Sequence, residues 1–233
     1  MVVKKGALLR WLENRYLRRY LHGTGMEVGA LSRRFSVPQG VRVWYVDRLG
    51  LDGLGRHYPE LQGKILSPDL LAEATQLPVR PASLDFLIAG HVLEHLPLPL
   101  LALRSWYEAL APGGVLLLKV PDKRYTFDVH RARTPLAHLI NEHNNPERFD
   151  TWAHYADWVE IVGGQNSSAP AFEDAVQNLM DHNHSIHFHV WIDDDVREII
   201  NFTRQTWRLA WDPVVFWSAH FYRKETTVVL LRK

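Results

Sequence analysis

The stretch from Ser83 to Asp122, SLDFLIAGHVLEHLPLPLLALRSWYEALAPGGVLLLKVPD, constrains the fold of this chain more than any other. Two short unbroken apolar runs, Leu84 to Ala89 and Val115 to Val120, have the length and continuity of strands buried on both faces of a parallel sheet. Between them Leu100, Leu103, Trp106, Tyr107 and Leu110 recur at the spacing of one buried helix face. Pro112-Gly113-Gly114 predicts the end of that helix, because proline cannot continue it and glycine accepts positive φ. Strand, helix and parallel strand form a right-handed crossover. Its ligands gather at the carboxyl ends of the strands, which here are Gly90-His91 and Pro121-Asp122.

A chain of 233 residues is long enough for a sizeable core and is read as one domain over 1–233, with an N-terminal helix in 1–25 and an insertion over 123–190. The net charge of +1 carries no sign of the basic surface that a nucleic acid needs. No run of about 18 apolar residues predicts stable membrane insertion, and no secretory leader or cysteine is present, so a cytoplasmic location is expected. Met1 to His22 sets Lys4, Lys5, Arg10, Arg15, Arg18 and Arg19 against Glu13 alone. Leu9, Leu12, Tyr16 and Tyr20 at helical spacing predict an amphipathic helix packed on the sheet with a solvated basic face.

Met26-Glu27-Val28-Gly29-Ala30 reads as a first strand ending in a glycine where backbone must approach a ligand closely. Only 12 residues, Gly29 to Gly40, precede the next strand, so any helix between them is short or irregular. Val41 to Val46 predicts the second strand, ending at Asp47, and a helix follows over Leu51 to Leu61. Lys64 to Ser67 reads as the third strand, with Pro68-Asp69 at its end. Past the fifth strand, Lys123-Arg124-Tyr125-Thr126-Phe127-Asp128 emerge at the ligand end of the sheet, where a substrate is expected.

Eight of the thirteen histidines lie in the insertion: His130, His138, His143, His154, His182, His184, His187 and His189. Gly163 to Pro170 reads as a hinge or a surface turn. Ser185 to Trp191 alternates, with His187, His189 and Trp191 on one side, which predicts a half-buried strand. Two imidazoles at that spacing stand roughly 6.6 Å apart, suited to a base and its partner or to a shared metal. Asp193 caps a helix with Val196, Ile199, Ile200 and Thr203 inward, and Val214 to Ala219 with Thr226 to Leu231 predicts a hairpin. His91-Val92-Leu93-Glu94-His95 also spells H-x-x-E-H, which on a helix would be a zinc-hydrolase motif; its place at a strand end, with Pro97 and Pro99 following, argues against that.

Asp85, the run Leu93-Glu94-His95-Leu96 and the run Leu110-Ala111-Pro112-Gly113-Gly114 together resemble the class I S-adenosylmethionine-dependent methyltransferases. The resemblance implies an α/β fold, a Rossmann-like seven-stranded mostly parallel sheet with helices on both faces and an insertion after strand 5. It also implies S-adenosyl-L-methionine as cofactor, held by Glu27, Gly29, Ala30, Asp47, Asp69 and His91, with Asp47 on the ribose and Asp69 or the backbone near Gln76 by the adenine. One departure is that Gly29 is followed by Ala30-Leu31-Ser32-Arg33-Arg34, without the family's further glycines.

The combination of Glu-Val-Gly-Ala, Tyr-Val-Asp-Arg, Val-Pro-Asp-Lys-Arg-Tyr-Thr-Phe-Asp and His-Phe-His-Val-Trp is similar to a branch associated with glycan biosynthesis. Within it, the chain resembles the sugar O-methyltransferases of mycobacterial methylmannose polysaccharides. That resemblance implies a small glycan acceptor contacted by Lys123, Arg124, Tyr125 and His143. His189 or His187 is then the expected base, with Asp122 orienting it or the substrate. A divalent metal such as Mg held by these histidines and a carboxylate such as Glu142 is the other route to the same deprotonation. A cofactor-binding subunit without activity of its own remains an alternative from another class, and a homo-oligomer is compatible with everything above.

Overall fold

The computed structural model describes residues 2–233. Its sheet contains β1 (Thr24–Val28), β2 (Arg42–Asp47), β3 (Leu70–Leu71), β4 (Leu84–Gly90), β5 (Leu110–Pro121), β6 (Trp211–Trp217) and β7 (Glu225–Arg232). Their spatial order is β3-β2-β1-β4-β5-β7-β6, and β7 is the one reversed strand, antiparallel to both β5 and β6. The expected α/β fold with a seven-stranded, mostly parallel sheet is therefore present.

Continuous apolar runs in β4 and β5 are needed because helices cover both faces. On one face Leu87, Ala89, Leu116 and Leu118 pack with Leu100, Leu103 and Trp106 of α3 (Pro99–Ala109) and with Ile199 and Ile200 of α7 (Asp193–Gln205). On the other, Phe86, Ile88, Val115 and Leu117 meet Leu17 and Leu21, where the N-terminal helix α1 (Val2–Leu17) leads into the sheet. Strand order reverses between β1 and β4, so the crevice at a doubly wound sheet's switch point opens beyond Val28 and Gly90. The segment after β5 carries α4 (Leu136–Asn144), α5 (Thr151–Ile161) and α6 (Phe172–Asp181), the last two joined by Tyr155, Val159, Phe172 and Val176.

Several sequence expectations are corrected. α3 stops at Ala109, and Leu110 is already extended, so Pro112-Gly113-Gly114 lies in the irregular start of β5 instead of ending the helix. Glycine is required there for closeness: a Cβ on Gly114 would lie 2.8 Å from the carbonyl oxygens of Ala111 and Leu84. Lys64 to Ser67 forms no strand; the third strand is Leu70–Leu71, and α2 (Leu51–His57) stops short of Leu61. Among the described residues the N-terminal helix buries Leu17 and, paired with Arg223, Glu13, whereas Leu12 and Tyr16 of the expected inward face are 48% and 37% exposed. Of its basic face, the side chains of Lys4, Lys5 and Arg10 lie outside the described residues. Ser185 to Trp191 forms no strand: it bends at Phe188, has one bridge from Trp191 to Asp122, and is buried along most of its length.

Candidate active site

At the end of β1, Gly29 turns with φ +66, and a Cβ there would meet Val92 Cγ2 at 2.8 Å. Its N–H donates to the Val46 carbonyl at 2.9 Å, which joins the ends of β1 and β2. Asp47 closes β2 half-buried, and burial raises its carboxyl above the usual range against the opposing pull of the Leu49 and Arg48 backbone. One long bond, 3.4 Å from Leu49 N–H, leaves most of its acceptor capacity free. A narrow cleft between Ala30–Leu31, Val46–Asp47 and Leu66–Pro68 opens beside it.

Glu27 is engaged otherwise. It is 5% exposed, and both oxygens accept from Phe35 N–H at 2.9 and 3.0 Å, so it anchors the helix-free loop between β1 and β2. Burial pushes its carboxyl up to about 7, the Phe35 N–H partly opposing. Because the folded value lies above the ordinary one, the stability this group contributes is complete below about pH 4.5 and is lost as pH rises towards 7. Glu27→Gln, which keeps an acceptor for Phe35, is therefore expected to flatten that slope and to be more stable than the parent at pH 8, by roughly 3 kcal/mol at most. Urea unfolding of both proteins at pH 5 and pH 8 checks this; parallel pH dependences would reject it. Asp69, expected at a strand end, stands before β3, level with Tyr45, whose N–H its carboxylate accepts at 2.9 Å.

Beyond β4 the chain turns through His91, a non-glycine residue at φ +57, and only Leu93–His95 form a short 3-10 turn. The H-x-x-E-H segment is thus not helical, which removes the geometric premise of the zinc-hydrolase reading. Glu94 is wholly buried, and neither carboxylate oxygen has a hydrogen-bond partner. Three imidazoles surround its Oε1: His91 Nδ1 at 3.6 Å, His95 Nε2 at 3.9 Å and His187 Nε2 at 4.0 Å. Each of these rings has its other nitrogen tied to an outer acceptor. His91 Nε2 donates to Glu225 at 2.6 Å, His95 Nδ1 to the Ile186 carbonyl at 2.8 Å, and His187 Nδ1 to Asp128 at 2.6 Å. Asp128 is in turn fixed by Arg131 and Thr126.

Electrostatics follows from these pairings. Burial disfavours a charge on Glu94, but His91, His95 and His187 hold its carboxyl below the usual range. For His91, burial opposes protonation while Glu225 and Glu94 favour it, and the result is a pKa raised to about 10. His95 is lowered, chiefly by burial. Phe127, 56% exposed, lays its ring at 4.8 Å from that of His187 and forms an open apolar edge to the cluster.

The structure separates residues that the alternation of 185–191 put on one face. His187 joins the Glu94 cluster, whereas His189 enters a second knot with Glu142, His138 and His154. His189 is 0% exposed, and burial drives its pKa down to about 3, so it is neutral and shielded from an acceptor. Asp122 is nearly fully buried and its carboxylate is occupied by the Arg124 guanidinium and backbone N–H, leaving it without an imidazole partner. Arg124 also reaches Asp193, while Lys123 donates to the Val129 carbonyl at 2.8 Å. Tyr125 remains half-buried beside Arg124. His143 packs its ring 4.8 Å from Trp207, apart from both histidine clusters. Asp128 closes the Lys123–Asp128 run that the sequence places at the ligand end of the sheet, whereas Arg131 and Glu225 carry no local pattern; the partner of Glu225 lies 134 positions away.

A family model described as Methyltransferase domain matches residues 5–179. Among solved structures, a Rhodobacter sphaeroides protein described as a candidate Zn-dependent alcohol dehydrogenase aligns with a TM-score of 0.59 at 14% identity, over 94% of this chain and 88% of that one. A Pyrococcus horikoshii protein aligns with a TM-score of 0.53 at 14% identity, over 100% and 91% of the two chains. A SAM-dependent methyltransferase from Aquifex aeolicus aligns at 0.50 and 12% identity, over 94% and 88%. At these identities the likeness is one of fold. No match was found among curated proteins.

Proposed function

The chain belongs to the methyltransferase-domain family, and we propose that it transfers the methyl group of S-adenosylmethionine to a hydroxyl of a sugar or glycan precursor. The cofactor, when bound, supplies a methyl group already activated on a sulfonium sulfur. The cradle at Gly29, which any side chain would fill, and the nearly free Asp47 carboxylate fit such a group, with Asp47 accepting from ribose hydroxyls. Asp47→Ala is expected to weaken cofactor affinity roughly 10- to 150-fold, the worth of a hydrogen bond to a charged group, and to leave the fold intact. Calorimetry on the folded variant measures it; unchanged affinity removes Asp47 from the ribose.

The acceptor side rests on one observation: the Asp128–His187 pair, which aims an imidazole at Glu94 and is bordered by the exposed Phe127 ring. A carboxylate that fixes one ring nitrogen leaves the other to act on a proton. Phe127 offers an apolar face of the kind on which a sugar ring stacks. The Glu94–His95–His187 cluster would take up the proton of an acceptor hydroxyl held there, while the bound cofactor would supply the methyl group. Alignment of the two reactants accounts for much of the acceleration. His91, assigned to the cofactor by resemblance, borders this cluster through Glu94 and Glu225, so it serves to hold the strand end between cofactor and acceptor.

The test is incubation with S-adenosylmethionine and a panel of small glycans, read by mass spectrometry for the gain of one methyl group. Methylation of amines or carbons but of no hydroxyl in the panel would overturn the O-methylation reading, and absence of cofactor binding would overturn the whole. Among the described residues no helix is long and apolar enough to cross a membrane.

A further inference from the structure

The arrangement around Glu94 is hard to account for with protons alone. Its partners stand at 3.6 to 4.0 Å, beyond hydrogen-bond reach. A wholly buried carboxylate with no donor is expensive, since an unpaired buried charge is compensated by a bonded partner or an ion. His91 turns its Nδ1 towards it, but at 3.6 Å the contact is longer than a hydrogen bond. The Nδ1 of His95 and of His187 are committed to acceptors outside the cluster, which leaves a lone pair on each Nε2 pointing inward when the rings are neutral. Outward hydrogen bonds of this type orient histidines that ligate metals, and they fix which nitrogen is free.

We propose that Glu94, His95 and His187 bind one first-row divalent transition-metal ion. The three ligand atoms lie within 4.8 Å of one another. Bonds of about 2.1 Å set about 109–120° apart place ligand atoms about 3.4 to 3.6 Å from one another, so the cluster must contract by up to about an ångström to close on an ion. Two imidazoles and one carboxylate suit manganese, iron, cobalt or zinc; magnesium prefers an oxygen shell. In the other knot, His138–Glu142–His154–His189, Glu142 Oε1 already takes bonds of 2.8 Å from two imidazoles, while Glu142 Oε2 and His189 Nδ1 are left without partners.

The role of the ion rests on the function proposed above, although its binding does not. An acceptor hydroxyl on an open position of the ion loses its proton to water more readily, and its oxygen then takes the methyl carbon as the carbon–sulfur bond breaks. With the ion bound, His187 Nε2 is a ligand and no longer the base, so the ion replaces the imidazole as the means of removing the hydroxyl proton.

Cobalt(II) titrated into chelator-treated full-length protein, followed by visible absorption and calorimetry, tests the site. One cobalt ion per chain is expected, and magnesium in large excess should not displace it. Glu94→Gln and His187→Ala should each lower cobalt affinity by at least about 100-fold, and Asp128→Asn, one step removed, by about 10- to 100-fold. Glu142→Gln should leave it unchanged. Melting temperature and S-adenosylmethionine affinity, measured on every variant, show that the variants are folded. Wild-type protein that binds S-adenosylmethionine but no cobalt overturns the metal site. Cobalt affinity lost in Glu142→Gln and kept in Glu94→Gln overturns it equally, by moving the ion to the other knot. Cobalt bound through Glu94 by a protein that methylates no hydroxyl supports the site while defeating the function, so the two failures stay distinguishable.

Discussion

His187→Ala is expected to lower the turnover number for methyl transfer by about 10² to 10⁴ while leaving cofactor affinity unchanged. The size follows from the geometry. His187 is the group that Asp128 holds at 2.6 Å with its second nitrogen turned to Glu94, and no other ring takes that position when it is removed. Gly29 and Asp47, proposed to hold the cofactor, lie at different strand ends, which is why binding should survive. Asp128→Asn should produce a smaller loss and shift the pH profile, because an amide still fixes the ring but no longer stabilises its charge. His189→Ala makes the contrast. That ring is fully buried among Glu142, His138 and His154, so its removal should lower the melting temperature, with turnover falling only as far as the folded fraction does. Single-turnover rates, cofactor affinities and melting curves on the three variants decide the matter. Normal single-turnover rates in a folded His187→Ala protein would end the case for this cluster.

Much of the sheet could be read in advance because its central strands announce themselves. Phe86 to Ala89 and Val115 to Leu118 are continuous apolar runs that only a doubly covered sheet accommodates, and the structure covers both faces. The third strand was misplaced for the opposite reason. It is two residues long at the sheet edge, with one residue exposed, so it lacks the run that a pattern search detects. For 185–191 the period-2 signal was real but its cause was different. The N–H groups of Phe188 and His189 both donate to the Glu94 carbonyl, so the segment is tied to the turn after β4, bends at Phe188 and has no strand partner there. His187 and His189 consequently diverge into separate clusters. Glu94 and His95 were visible as a motif, yet what makes them a site is His187, 92 positions further along, and its anchor Asp128. Contacts of that span are set by the tertiary fold, and nothing local encodes them.

Arg131 is the residue on which the insertion's attachment depends most. It is 4% exposed and donates to three oxygens: Asp128 Oδ1 at 2.9 Å, the His187 carbonyl at 2.7 Å and Asp157 Oδ2 at 2.7 Å. Removing one member of a buried ion pair typically costs 3 to 5 kcal/mol, since the other charge is left without compensation. Arg131→Met is therefore expected to cost about that much, a fall in melting temperature on the order of 10 °C for a chain of this size. Asp128 keeps its bond to His187, so the fold should persist at lower temperature, but with the ring less firmly aimed. Adding Asp128→Asn to Arg131→Met takes away the stranded charge and should restore part of the stability without restoring turnover. This non-additivity is the diagnostic result, because a merely solvated arginine would give small and additive effects. Thermal melts and single-turnover rates on the two single variants and the double variant complete the cycle, and a fall of less than about 2 °C for Arg131→Met would show that the Asp128–His187 pair is held in place by something other than this guanidinium.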